Sequence, residues 1–113
     1  MEESKKYEGL DVVEVDIKDL EPATYNPRRL TDKAYKDIRA SLEKFGPVSP
    51  AVINGSDERK NIIIGGHQRI KIWQDMGNST YPCVYESLSI EEEKELNIRL
   101  NKNTAEWDLD ALT

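Results

Sequence analysis

Eight consecutive residues, Ile62-Ile63-Ile64-Gly65-Gly66-His67-Gln68-Arg69, hold most of the chemistry that this sequence offers. A β-branched run enters a glycine pair and leaves as a helical pattern, which puts the pair at a strand-to-helix junction. Backbone N–H groups at a helix start have no partner inside the helix, and the aligned peptide dipoles add positive potential there. A phosphate suits such a terminus. Gly65 and Gly66 carry no side chain to hold an anion away, Gln68 adds an amide donor, and Arg69 can add a two-pronged charged contact. His67 could orient a water or a phosphate, and it is the candidate catalytic residue, with a carboxylate as the other possible general base. The same residues admit a plainer explanation: a tight turn, a surface histidine and a solvated helix charge.

Two further polar groups have the composition of a binding rim. Asn26-Pro27-Arg28-Arg29 sits within residues 24–40, which carry five bases and two acids, so Arg28 and Arg29 could face a phosphate or nucleic acid. A solvated loop tip explains them equally well. Asn101-Lys102-Asn103-Thr104 offers amide, ammonium and hydroxyl groups, although Asn and Thr are ordinary helix-end residues. Hydrolase chemistry has little footing, because there is one histidine, no HExxH and no serine in a GxSxG turn. No cluster has metal-ligand spacing. The run Glu91-Glu92-Glu93-Lys94-Glu95 reads as a solvated helix face. Cys83, the only cysteine, reads as a small buried hydrophobe, and its solitude excludes an internal disulfide and fits a reducing cytoplasm.

The elements that must position these groups follow from periodicity. Residues 11–17 alternate, with Val13, Val15 and Ile17 on one face, and predict a half-buried strand. Residues 20–29 form a loop in which Pro22 and Pro27 oppose regular structure. Thr31 caps a helix whose apolar face is Ala34, Tyr35, Ile38, Leu42 and Phe45, and Gly46-Pro47 stops it. Residues 50–54 and 61–64 make a hairpin around the polar turn 55–60. A helix over residues 67–76 carries Ile70, Trp73 and Met76 and ends at Gly77; residues 81–85 return as a strand. Ser89 and Glu92 make a capping box for a helix through about Asn101, residues 103–106 break it, and residues 107–112 begin another. Trp73 and Trp107 stand at helical spacing among aliphatics, as core or docking aromatics do.

The chain has 113 residues with 22 acids against 16 bases, net −6. One domain is the default at this length. Residues 86–113 hold eight of the acids and three of the bases, so the acidity is mostly C-terminal. That balance does not supply the clustered cations on which sequence-blind duplex binding depends. No apolar run is long enough for an anchor or membrane span, and residues 1–10 read as a flexible leader. Because the last helical pattern is cut off after Thr113, the chain reads as an excised N-terminal part of a longer cytoplasmic protein.

The order of motifs resembles one family. A Val-rich strand, Asn26-Pro27-Arg28, a helix, Phe45-Gly46-Pro47-Val48-Ser49-Pro50 leading into Ala51-Val52-Ile53, the Gly65-Gly66-His67-Gln68-Arg69 turn and an acidic helix into Asn101 look like the ParB/sulfiredoxin (ParB-like nuclease) domain over residues 11–113. The resemblance implies an α+β fold, a small mixed sheet with helices packed around it. It is closest to ParB-like domains that precede DNA methyltransferase modules in phages and mobile elements, which share an ending of the type Arg99-Leu100-Asn101-Lys102-Asn103 followed by Glu106-Trp107-Asp108.

In nucleotide-binding relatives the glycine-rich turn holds phosphates, which carries over to Gly65, Gly66 and Arg69. The helix-end motif of CTP-binding ParB proteins supplies Glu-Asn for magnesium and then an Arg for phosphate; here those positions hold Leu100, Asn101 and Thr104. His67 stands where sulfiredoxin has its catalytic cysteine. The resemblance thus implies a module binding CTP or ATP, with Mg2+, at residues 65–69 with Arg28 and Asn101 on the rim. It would serve a partition, transcription-regulating or DNA-modification protein that contacts DNA through its full length, and it could pair with a second copy. The alternatives are an enzyme, either a weak nuclease or a nucleotide hydrolase or kinase with His67 or a carboxylate as general base, and a docking domain with a vestigial pocket.

Overall fold

The computed structural model describes residues 11–25 and 30–112, with side chains as far as Asn101. The group Asn26-Pro27-Arg28-Arg29 and the leader 1–10 lie outside the described residues. Four strands form one mixed sheet: β1 (Val12–Asp16), β2 (Ala51–Asn54), β3 (Ile63–Gly65) and β4 (Thr80–Glu86), in the order β1-β4-β2-β3. β4 runs antiparallel to β1 and parallel to β2, while β2 and β3 are antiparallel. Among the described residues, three α-helices accompany the sheet: α1 (Asp32–Phe45), α2 (His67–Asp75) and α3 (Ile90–Leu112). The α+β expectation holds.

The chain can reach the parallel β2–β4 pairing only by a crossover, because parallel neighbours cannot be joined by a tight turn. Here β3 and α2 form that crossover. The glycine pair between them is therefore held at a sheet end, one strand away from the parallel pair. Pro82 is tolerated inside β4 because β2 pairing begins at Cys83, so Pro82 has a strand neighbour only on the β1 side, opposite Glu14. Ile53, Ile64, Ile72, Tyr81 and Cys83 are fully buried. Each isoleucine contributes about 1.5–3 kcal/mol by leaving water. Trp73 packs against this core and donates its indole N–H to the Thr80 carbonyl.

Local signals act as their chemistry requires. The Thr31 hydroxyl accepts from the Ala34 N–H at 3.1 Å, and Gly46 closes α1 at φ +71°. Ser89 and Glu92 exchange side-chain-to-backbone bonds of 3.0 and 3.2 Å, a complete capping box.

Four expectations change. The first strand ends at Asp16, Ile17 opens a 3-10 turn (Ile17–Asp19), and Val13 is 44% exposed because β1 is a sheet edge with one neighbour. Phe45, expected on the buried face of α1, is 63% exposed at the helix end, where the Lys44 ammonium lies 5.4 Å from its ring centre. Of that face only Leu42 is fully covered. Glu21, placed in an irregular loop, instead forms a parallel bridge to Ile62, giving and taking bonds of 2.9 and 2.8 Å with Asn61 and Ile63. The expected break at residues 103–106 does not occur: α3 runs unbroken to Leu112, since Asn and Thr cost a helix only a few tenths of a kcal/mol each and neither Gly nor Pro is present.

Candidate functional site

Both glycines have geometric reasons to be glycine. Gly66 precedes α2 at φ +100°, the left-handed region that side chains disfavour. A Cβ there would lie 3.0 Å from the Ala51 Cβ and 3.4 Å from Arg69 Nη2. Gly65 ends β3, and a Cβ on it would lie 2.6 Å from the Leu100 Cδ1. The space beside Gly65 is thus filled by α3 of the same chain. What the turn leaves for a ligand is the start of α2, which has no side-chain cap.

Arg69 folds back over that start. Its Nε donates to the Tyr81 hydroxyl at 3.3 Å, and Tyr81 donates onward to the Ser49 carbonyl at 3.2 Å. Tyr81 is fully buried, so the relay gives its hydroxyl partners and fixes the base of the guanidinium against the loop before β2. Arg69 is therefore aimed at the glycine turn by a rigid residue of the central strand β4.

His67, the first residue of α2, is half-buried, and its Nε2 accepts the Ala23 N–H at 3.2 Å. That bond requires the neutral ring with its proton on Nδ1. Burial lowers the His67 pKa below the ordinary histidine value, against an opposing pull from the Glu93 charge. The candidate general base is thus engaged as an anchor for residues 20–25. Asn101 lies on α3, where its amide donates to Asn97 Oδ1 at 3.3 Å; Asn97 is buried and donates to the Ile64 carbonyl at 2.9 Å. Gly65, Gly66, His67 and Arg69 are brought together, Gln68 sits among them on α2, and Asn101 is linked to the turn through Asn97 and its neighbour Leu100.

The larger polar assembly was not visible in the sequence. Glu93 is fully buried rather than part of a solvated face. Its Oε1 accepts from Asn54 Nδ2 at 2.8 Å and Arg59 Nε at 3.0 Å; its Oε2 accepts from Arg59 Nη2 at 2.9 Å and from the Tyr25 hydroxyl at 2.5 Å. Asn54 Oδ1 in turn accepts the N–H groups of Ser56 and Leu88. Burial alone would raise the Glu93 carboxyl, but the bonds from Arg59, Tyr25 and Asn54 outweigh it and hold the group below the usual carboxylate range. Tyr25 is pushed well above the ordinary phenol value by burial and by Glu93. The one signal that could have found Glu93 is its spacing: Glu93, Asn97, Leu100 and Asn101 recur at four, seven and eight, on one helix face.

Cys83 is buried in β4 and burial pushes its thiol up to about 12, so it is a poor nucleophile. Among the described residues, no group of three or more His, Cys, Asp or Glu could hold a metal ion, and no helix is long and apolar enough to cross a membrane.

Solved structures of ParB and of sulfiredoxin superpose on this mixed four-stranded sheet and its helices. ParB from Caulobacter crescentus, C-terminally truncated and complexed with CTP-γ-S, gives a TM-score of 0.71 at 23% identity over 80% of this chain and 52% of that one. The same protein complexed to the centromeric parS site gives 0.61 at 24% identity over 76% and 44%. Sulfiredoxin from Arabidopsis thaliana gives 0.64 at 17% identity over 76% and 96%. Within that class the sequence is specific: residues 1–104 match the ParB N-terminal domain, and the chain belongs to that family. A probable chromosome-partitioning protein ParB from Vibrio cholerae serotype O1 is 26% identical over 113 residues. The match covers 99% of this chain and 38% of that relative's length.

Proposed function

We propose that this chain is a ParB-like module that binds a nucleotide by its phosphates at the glycine turn and forms the N-terminal part of a DNA-transaction protein. The observation that carries this reading is the uncapped start of α2 behind a left-handed Gly66, with the Arg69 guanidinium held over it by Tyr81. Backbone N–H groups, helix dipole and a charged fork then converge on one anion. Gln68 adds a donor, Asn101 lies on the rim, Arg28 is assigned to it from the sequence alone, and His67 serves as an anchor and not as a base. The CTP-γ-S and parS complexes of the Caulobacter protein support nucleotide and DNA as the two partner classes. In this reading residues 11–113 are the ParB-like unit and residues 1–10 its leader. The ending Arg99-Leu100-Asn101-Lys102-Asn103 with Glu106-Trp107-Asp108 favours a DNA-modification protein as the whole, beside a chromosome-partitioning one.

The donor set fits the phosphates of CTP or ATP better than it fits magnesium. Magnesium sites use one or two carboxylates, and Leu100, packed on Gly65, stands where the family motif has one. Calorimetric titration with CTP, ATP, GTP and UTP, with and without magnesium, tests the reading. Saturable binding that Arg69→Ala weakens by about 1.5–3 kcal/mol is expected from loss of a charged hydrogen bond. No heat with any nucleotide overturns the reading, and unchanged affinity in Arg69→Ala moves the site elsewhere.

A further inference from the structure

The buried Glu93 assembly lies off the turn, yet it ties together three segments that the turn depends on. Asn54 ends β2, Arg59 belongs to the hairpin leading into β3, and Tyr25 belongs to the segment that His67 anchors at Ala23. Glu93 itself is in the first turn of α3. Four residues on, Asn97 bonds the β3 carbonyl of Ile64; three more bring Leu100 onto Gly65, and the next residue is Asn101. Eight residues of helix span about 12 Å, so a rigid pin at Glu93 fixes both the rotation and the axial position of α3 where it crosses the turn.

We propose that Glu93 is a positioning residue for the glycine turn: its bonds to Arg59, Asn54 and Tyr25 set the register of α3 that seats Leu100 against Gly65 and brings Asn101 to the rim. This rests on the reading of the turn as a nucleotide site. A carboxylate does this where an amide cannot, because Arg59 donates to both oxygens. A glutamine must turn one NH2 toward Arg59 donors, whichever way it is flipped.

The test uses Glu93→Gln together with the paired Arg59→Met, Glu93→Met variant, since replacing a buried ion pair by apolar residues of similar size often preserves stability while removing its directional bonds. Two quantities are read in the folded proteins: the nuclear Overhauser contact between the Gly65 α-protons and the Leu100 methyls, and the affinity for CTP. The expected result is a weakened Gly65–Leu100 contact with CTP binding reduced at least about tenfold, a 1.4 kcal/mol effect, even in the paired variant whose melting temperature matches the parent. A contact unchanged in every folded variant overturns the register, whatever the affinity does. Affinity that returns with stability in the paired variant shows a merely structural ion pair and also overturns it. Should Glu93→Gln fail to fold, the paired variant decides, and should both fail, Tyr25→Phe, which removes one donor, is read the same way. A parent protein that binds no nucleotide defeats the reading of the turn itself, and the positioning role falls with it.

Discussion

The glycine turn and the Glu93 assembly are both polar, adjoin the same helix, and differ in how their chemistry is distributed along the chain. The turn is consecutive: its glycines, helix start and Arg69 come from residues 65–69, and their geometry follows from local backbone rules. The assembly is dispersed, since Glu93 meets partners 34, 39 and 68 residues away. Local chemistry is announced by residue type, whereas buried charge is announced only by its partners. In the turn, Arg69 and His67 each hold one internal partner, Tyr81 and Ala23, at a helix start without a side-chain cap; the assembly satisfies all of Glu93's oxygens internally, which is how a charge survives burial.

Removing the assembly's cation breaks this contrast most severely. Arg59→Met leaves Glu93 fully buried with two neutral donors, and unfolding in urea is expected to cost about 3 kcal/mol less, the low end for a broken buried pair because the Arg59 side chain is 25% exposed. The pH dependence should change sign. In the parent, Glu93 has a lowered folded pKa, so its contribution is present above the unfolded value of 4.5 and is lost as pH falls through the folded one. In Arg59→Met burial dominates and raises the folded value, so stability is greatest in acid and declines as pH rises through it. A parent-like slope in the variant would show that Tyr25 and Asn54 alone hold the charge.

Overpacking the turn sharpens the contrast from the other side. Gly65→Ala places a methyl 2.6 Å from the Leu100 Cδ1 and is expected to cost about 1.5 kcal/mol by thermal or chemical denaturation, toward the low end for overpacked sites because the half-buried Leu100 tip can turn aside. If the clash is the cause, combining it with Leu100→Ala should cost less than the two single losses added, and strict additivity would locate the strain elsewhere.

The same division explains which parts of the fold were legible. α1 was readable from Thr31 to Gly46, the hairpin from its β-branched runs, and Gly65-Gly66 as the strand-to-helix junction, because each is a local decision. Phe45 and Val13 were misread because period alone cannot tell which part of an apolar stripe finds a neighbour; a helix end and a sheet edge leave theirs uncovered. Glu21 was missed because its bridge partner Ile62 is 41 residues away. Glu93 was misread for the opposite reason. Its neighbours Glu91, Glu92 and Glu95 are exposed, and nothing within a helical turn distinguishes the one carboxylate that faces Arg59. Of the candidate site, the residue types were readable, but not that Leu100 fills the space beside Gly65 or that the Ala23 N–H occupies His67.

The gentlest perturbation is at His67, where the two regions meet. His67→Ala removes the acceptor for the Ala23 N–H, and because the side chain is only half-buried, water can reach the vacated donor. The expected loss is about 1 kcal/mol at pH 7.5. Its signature is the pH profile. Burial lowers the folded pKa of His67, so the unfolded chain takes up its proton first as pH falls below 6.5, and the parent loses stability through that window until the folded value is passed. His67→Ala should lack this slope between pH 6.5 and the region below 4.5 where Glu93 titrates, so parent and variant converge on acidification. Two denaturation series from pH 7.5 to 4.5 read the difference directly. Parallel curves would mean that His67 binds its proton equally in both states and that Nε2 is not held by Ala23 in solution, which would free the ring for a role at the phosphate.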